Sequence, residues 1–313
     1  MGRIKLEELN NTNILPVILG PTASGKTELS LRLAEVYDCE IISADSRQIY
    51  RYMDIGTSKP DKSILESIPH HFIDILNPDE NYSAGKFEHY GRIAIEAIRS
   101  RNHIPIVVGG TGLYIKALCE GLFNFSDPEQ NQDIRKKLES ELNEIGRDAF
   151  YEKLRAIDPI TAAKYLDKNP RRIMRALEFY ENTGIPLSEA QNENNTQGIQ
   201  YDCLYFGISM ERDNLYERIN KRCEIMWGQG LIEETSKLLA MGYSKDLNSM
   251  NTIGYKEAIQ YLEGKLRYDE GLELFKKNTR HFAKRQLTWF RKNEKIRWID
   301  AKNDINLNFI SNF

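Results

Sequence analysis

The stretch ILGPTASGKTEL, residues 18 to 29, restricts the fold more than any other part of the chain. Gly20, Gly25, Lys26 and Thr27 satisfy G-x-x-x-x-G-K-[ST], after an apolar run and at the start of a helix-forming one. In that setting glycines let the main chain wrap an anion, and the N–H groups of the loop and helix start point at phosphate oxygens. Gly20, Pro21, Thr22, Ala23, Ser24, Gly25, Lys26 and Thr27 are therefore the candidate diphosphate cradle, with Lys26 as the neutralising charge and Thr27 as the candidate Mg2+ ligand. Such a loop reads phosphate oxygens through main-chain donors, so ATP, GTP and an alkyl diphosphate all satisfy it equally.

A phosphate loop of this kind sits at the head of a parallel sheet, and the flanking sequence has the matching rhythm. ILPVILG, EIIS, HFIDIL and IPIVVGG read as strands, separated by helical stretches from about Lys26 and through KFEHYGRIAIEAIRS. From FNFSDPEQNQD onward nothing strand-like occurs until CLYFGIS at 203 to 209. Asp127-Pro128, Asp158-Pro159 and Asn169-Pro170 each set a capping side chain before a proline suited to the first helical turn, with Gly146 and Gly184 as stops and QNENNTQG as a polar linker. The expected fold is α/β: a P-loop NTPase-like parallel sheet flanked by helices, with an inserted all-helical domain. Residues 1–120 and 197–313 form the core, ending in basic helices and a last strand IRWID, and 121–196 form the insertion.

In 313 residues, a formal net charge of −3 gives no overall attraction to nucleic acid or membrane, so any polyanion must meet a local basic surface. Cys39, Cys119, Cys203 and Cys223 form no CxxC pair, which argues against structural zinc and for reduced thiols. With no apolar signal core and no membrane-length run, the expected location is cytoplasmic, and the absence of an exposed apolar heptad predicts a monomer with no obligate protein partner.

The strand IPIVV runs into Gly109-Gly110-Thr111-Gly112, where a nucleotide hydrolase would carry a magnesium-binding aspartate. The candidate carboxylate is instead Asp45 in SADSRQIY, beyond the carboxyl end of a neighbouring strand, where open α/β sheets bind ligands. Taken alone, Asp45 is equally a turn former or a helix cap. The run FKKNTRHFAKRQLTWFRKNEKIR carries Lys276, Lys277, Arg280, Lys284, Arg285, Arg291 and Lys292 interleaved with Phe282, Trp289 and Phe290. It reads either as a phosphate-neutralising, base-stacking stripe or as a solvated helix with core aromatics. Arg171, Arg172 and Arg175 form a second cluster. Arg218 and Arg222, at i,i+4, form a third that could grip a diphosphate or pair with Glu217 or Glu224.

Taken in order, GPTASGKT, SADSRQIYRYMDIGTSKP, VVGGTGLYIKAL, RRIMRALE, RINKR, IGYKEAI and KRQLTWFRK resemble the tRNA dimethylallyltransferases of the bacterial type, over nearly the whole chain. The resemblance implies that the diphosphate is dimethylallyl diphosphate and that its allyl group moves to the exocyclic amine of the adenosine 3′ of the anticodon. It further implies Asp45 as general base, Thr111 as a residue positioning the adenine, and Lys26 with Arg218 or Arg222 as catalytic cations on the leaving group. Contact with the tRNA anticodon stem-loop is implied for Asp45, Ser46, Arg47 and Gln48, for Thr111, and for Arg171, Arg172 and Arg175 of the insertion. The same holds for Asn251, Gly254, Tyr255 and Lys256, and for Lys284, Arg285, Gln286, Trp289 and Arg291. Other readings of the same residues are an adenylate isopentenyltransferase, a small-molecule P-loop kinase and a non-catalytic RNA-binding protein.

Overall fold

The computed structural model describes residues 13–121, 132–193 and 201–300. The chain divides into two compact units, residues 1–121 with 200–313 and residues 122–199. The first is built on a wholly parallel sheet of six strands: β1 (Ile14–Leu19), β2 (Cys39–Ala44), β3 (His70–His71), β4 (Ile104–Gly109), β5 (Asp202–Ser209) and β6 (Arg297–Asp300), in the order β3-β2-β4-β1-β5-β6.

β2 and β4 are buried along their whole length and β1 nearly so, because both sheet faces are covered, as parallel connections require. Alternate residues feed different cores. Ile18, Ile41, Ile106 and Val108 pack with Leu29 and Leu33 of α1 (Lys26–Val36). Val17, Leu19, Ile42 and Val107 join the larger core, to which α3 (Ala84–Ser100) contributes Phe87 and Ile95 and α4 (Gly112–Glu120) contributes Tyr114 and Leu118. That core also receives α9 (Arg212–Met226), a π-turn at Trp227–Leu231, α10 (Ile232–Ala240), α11 (Tyr255–Leu262) and α12 (Tyr268–Phe290). A short α2 (Lys62–Ser67) precedes β3.

Of the expected strand HFIDIL, residues 71–76, only His71 lies in β3. Phe72 and Asp74 adopt φ of 67° and 55°, which leaves the ladder, and the chain touches strand geometry again only at a bridge between Tyr50 and Leu76. A nearly buried lysine organises this detour: Lys59 Nζ donates to Tyr50 O at 2.8 Å and to the carboxylates of Asp54 and Asp74 at 2.5 Å.

The second unit contains α5 (Gln132–Ile157), α6 (Pro159–Lys164), α7 (Pro170–Thr183) and α8 (Leu187–Glu193) around a core that includes Leu138, Phe150, Leu154, Ile173 and Leu177. Its punctuation follows the capping chemistry. Asp158 accepts from Thr161 N–H, Asn169 accepts from Arg171 N–H, and Pro159 and Pro170 occupy the first helical turn. Gly184 ends α7 at φ 71°, and Gly146, at the non-helical φ 78° and ψ 170°, divides α5 into two helical segments. The Asp127-Pro128 cap and most of the QNENNTQG linker lie outside the described residues. Among the described residues no helix is long and apolar enough to cross a membrane.

At the amino end of β2, Glu40 is buried and accepts hydrogen bonds from Arg101 Nε and Nη2 at 3.0 and 2.8 Å, His71 Nε2 at 2.7 Å and His103 Nδ1 at 2.9 Å. Burial pushes the carboxyl upward, but the bonds from Arg101, His71 and His103 outweigh it and hold it at about 2. A depressed carboxylate contributes stability above its unfolded value of 4.5 that is lost as pH falls through about 2. Glu40→Gln is therefore expected to cost about 1–3 kcal/mol at neutral pH, with the gap to wild type closing across that acidic window. Urea titrations at pH 7 and pH 3 measure this, and a gap that stays constant with pH contradicts it.

Candidate active site

β1 ends in the phosphate loop, and Gly25, at φ 98°, makes the left-handed turn that starts α1. Beside the loop lies a cavity of about 640 Å³, lined by residues of the first unit only. Thr22, Lys26, Thr27, Asp45, Ser46, Arg47, Gln48, Thr111 and Arg222 all face it, as do Asn251, Lys256, Arg285, Gln286 and Trp289.

Three cations meet at the loop. Lys26 Nζ folds back onto Pro21 O at 2.7 Å, and burial, with Arg222 nearby, lowers its pKa to about 8 despite the opposing pull of Asp45. Arg222 Nε donates to Ser58 Oγ at 2.9 Å, and its own pKa is lowered by burial against the pull of Asp45, with Arg218 adding like-charge repulsion. Arg218 approaches the loop so closely that a Cβ placed on Gly25 would stand 4.0 Å from its Nη2. Among the described residues neither arginine has a carboxylate at ion-pair distance, and Glu224, one of the alternative partners, pairs with Lys276 at 2.8 Å. Ser24 Oγ is buried in the loop and has no hydrogen-bond partner among the described residues. Concentrated unneutralised cations around an orphaned hydroxyl and main-chain donors suit a multiply charged oxyanion.

Asp45 lies just past β2. Its Oδ1 accepts from Arg47 N–H at 2.8 Å and Gln48 N–H at 3.4 Å, the turn-forming use that the sequence also allowed. The carboxylate thus holds its own turn while it lines the cavity beside Lys26 and Arg222. Thr111 Oγ1 accepts from Ser46 N–H at 3.0 Å and donates to Ser46 Oγ at 3.3 Å, which ties the GGTG loop to that turn.

Several residues expected at the RNA surface are engaged inside the protein. Gln48 Nε2 donates to Thr57 O and Ser58 O at 3.3 and 3.2 Å, and its Oε1 accepts from Ser43 Oγ. Tyr255 is fully buried, and its hydroxyl donates to Glu234 Oε1 at 2.5 Å. Gly254 is buried as the N-cap of α11, its N–H donating to Glu257 Oε2, which leaves only backbone to offer. Gln286, buried on α12, bonds Thr22 N–H and Gly110 O. On the same helix Lys284, Arg285 and Trp289 are exposed, as is Arg291 just beyond it, while Phe290 belongs to the core. Lys276 is neutralised by Glu224 and Glu273, so the basic stripe begins further along. In the second unit Arg171, Arg172 and Arg175 are exposed, with Arg172 3.6 Å from Asp167.

Glu234 is a functional support that sequence reasoning missed. Its carboxylate accepts from the N–H groups of Asp54, Ile55 and Gly56 at 2.9 to 3.1 Å, fixing the loop that presents Ser58 to Arg222. No local pattern marks it, because its partners lie up to 180 residues away.

Among the described residues no group of three or more His, Cys, Asp or Glu could hold a metal. A hard cation here would rest on Thr27 Oγ1 and on oxygens brought by the ligand, a sparse donor set that suits Mg2+.

A phosphate loop on a parallel sheet, facing a carboxylate and three converging cations, defines an α/β group-transfer enzyme of the P-loop type. The chain belongs to the IPP transferase family, whose model matches residues 48–293, and it is a prenyltransferase. It is 47% identical to tRNA dimethylallyltransferase 2 of Geotalea uraniireducens, over 91% of this chain and 92% of that protein. It is 48% identical to the tRNA dimethylallyltransferase of Geobacter sulfurreducens over 91% of each chain. The crystal structure of the tRNA isopentenylpyrophosphate transferase of Bacillus halodurans is 40% identical, with a TM-score of 0.70 over 96% of this chain and 95% of that one. A eukaryotic dimethylallyltransferase described as acting on tRNA superposes with a TM-score of 0.81 at 30% identity, over 94% of this chain and 75% of that one.

Proposed function

We propose that this protein transfers the dimethylallyl group of dimethylallyl diphosphate to the exocyclic amine of the adenosine 3′ of the anticodon in tRNA, releasing diphosphate. The observation that carries the reading is the convergence of Lys26, Arg218 and Arg222 on the phosphate loop, beside a cavity that Lys26, Arg222 and Asp45 line together with Phe282 and Trp289. The amine nitrogen attacks C1 of the allyl group as the C1–O bond breaks. The bonding pair leaves on the diphosphate, and the amine proton passes to the Asp45 carboxylate. An adenine amine is a poor nucleophile, so stabilising the leaving group and accepting the proton carry most of the chemistry.

Lys26, the loop amides and the two arginines hold the leaving charge. Mg2+ on Thr27 would neutralise diphosphate oxygens further. Thr111 sets the approach of the adenine. The adenosine is extruded from its stack at a cost of a few kcal/mol, offset by stacking on exposed aromatics and by phosphate contacts along α12. The helical unit, with Arg171, Arg172 and Arg175, supplies further cationic surface for the anticodon stem.

The direct test is labelled dimethylallyl diphosphate with unmodified tRNA, with AMP as acceptor and ATP as donor in parallel tubes. Label in tRNA alone is the expected result. Label in AMP favours a nucleotide prenyltransferase, and consumption of ATP alone sinks the reading. Lys284→Ala or Arg285→Ala is expected to weaken tRNA binding and to lower the slope of log affinity against log salt by about one for each phosphate left without its cation. Filter binding from 50 to 200 mM salt, the range over which such slopes are commonly resolved, reads this out, and an unchanged slope contradicts it.

A further inference from the structure

α12 carries its exposed cations and one buried amide on neighbouring turns. Gln286 accepts through Oε1 from Thr22 N–H at 2.9 Å and donates through Nε2 to Gly110 O at 2.9 Å, joining segments 264 and 176 residues away. The seat is tight. A Cβ on Gly110 would lie 2.3 Å from Gln286 Nε2, and one on Gly112 would lie 2.2 Å from Trp289 Nε1. A phosphate-loop N–H is ordinarily left for the anion, yet that of Thr22 is taken by a side chain from the far end of the chain. A side-chain amide suits both tasks, since its oxygen accepts from that N–H while its nitrogen donates to that carbonyl.

We propose that Gln286 is a positioning residue that couples the two substrates. Whatever holds α12 also holds Thr22 and Gly110 in place around the cradle, so each ligand tightens the other. The inference rests on the reading above, in which α12 meets RNA and the loop meets a diphosphate. Its physical basis is that the cost of ordering the shared contact falls on whichever ligand binds first and not again on the second.

The test uses the full chain, with a non-hydrolysable thio analogue of dimethylallyl diphosphate titrated calorimetrically with and without saturating unmodified anticodon stem-loop, and the reverse titration. Wild type is expected to bind each ligand about fivefold or more tightly in the presence of the other, by the same factor in both directions. Gln286→Met keeps the volume and loses both hydrogen bonds, while Gln286→Asn keeps the amide one methylene short. In both, the factor is expected to fall toward one. A merely structural role would lower both separate affinities and the melting temperature while leaving the factor intact, which overturns the inference, as does a wild-type factor of one. A wild-type protein that binds neither ligand overturns the substrate reading and the inference with it. One that binds both, with variants keeping the wild-type factor, overturns the inference alone.

Discussion

Asp45→Asn is expected to lower kcat by about 10² to 10⁴, the range for loss of a positioned general base, while the affinity for tRNA changes little. The asparagine can still accept from Arg47 N–H through its amide oxygen, so the turn after β2 survives and the loss reports on the proton acceptor. Asp45→Ala removes both roles and adds a folding penalty of about 1 kcal/mol for the lost turn hydrogen bonds. Removing the negative charge beside Lys26 and Arg222 is expected to tighten diphosphate binding, a sign opposite to that of a general structural defect. Single-turnover kinetics with binding measured separately decides the matter. Comparable losses in kcat and in tRNA affinity for Asp45→Asn would remove the carboxylate from the chemistry.

The second large effect belongs to Lys26. Lys26→Met is expected to reduce kcat/KM for the diphosphate donor by about 10² to 10³, the usual result of removing one preorganised donor from a developing anion. Burial and Arg222 hold the Lys26 ammonium at about 8 in the free protein, so its charge is present below that pH and is lost as pH rises through it. Donor affinity is therefore expected to fall above pH 8, with a slope approaching one decade per pH unit, and Lys26→Met abolishes that limb. A pKa lowered from 10.5 also means that the charged form is penalised by folding, so the variant is expected to melt higher without ligand. Calorimetric titrations from pH 6.5 to 9.5, a span chosen to bracket about pH 8, test the first statement and thermal scans test the second. A pH-independent affinity in wild type would contradict the assignment.

These predictions draw on features of unequal visibility. The cradle was legible because its parts are consecutive: a buried strand, glycines that permit the turn, and a lysine and threonine opening a helix. The caps of α6 and α7 were legible for the same reason, since Asp158 and Asn169 bond main-chain groups within three residues. The strand expected at HFIDIL failed because its apolar residues were drawn off the ladder by Lys59 and its acidic partners, which periodicity does not weigh.

What the sequence determined by itself was the local chemistry: where the glycine-rich turn with its lysine and threonine lies, which carboxylate stands beyond the neighbouring strand, which helix carries the basic stripe. The tertiary structure alone decided how these meet. It placed Arg218 and Arg222 at the loop with no carboxylate at ion-pair distance among the described residues, turned Tyr255 and Gln286 inward, and recruited Glu234 to three amides at the far side of the chain's numbering. A side-chain hydrogen bond depends on distance in space, and a motif records only distance along the chain, so the long-range contacts that fix the cavity have no local signature.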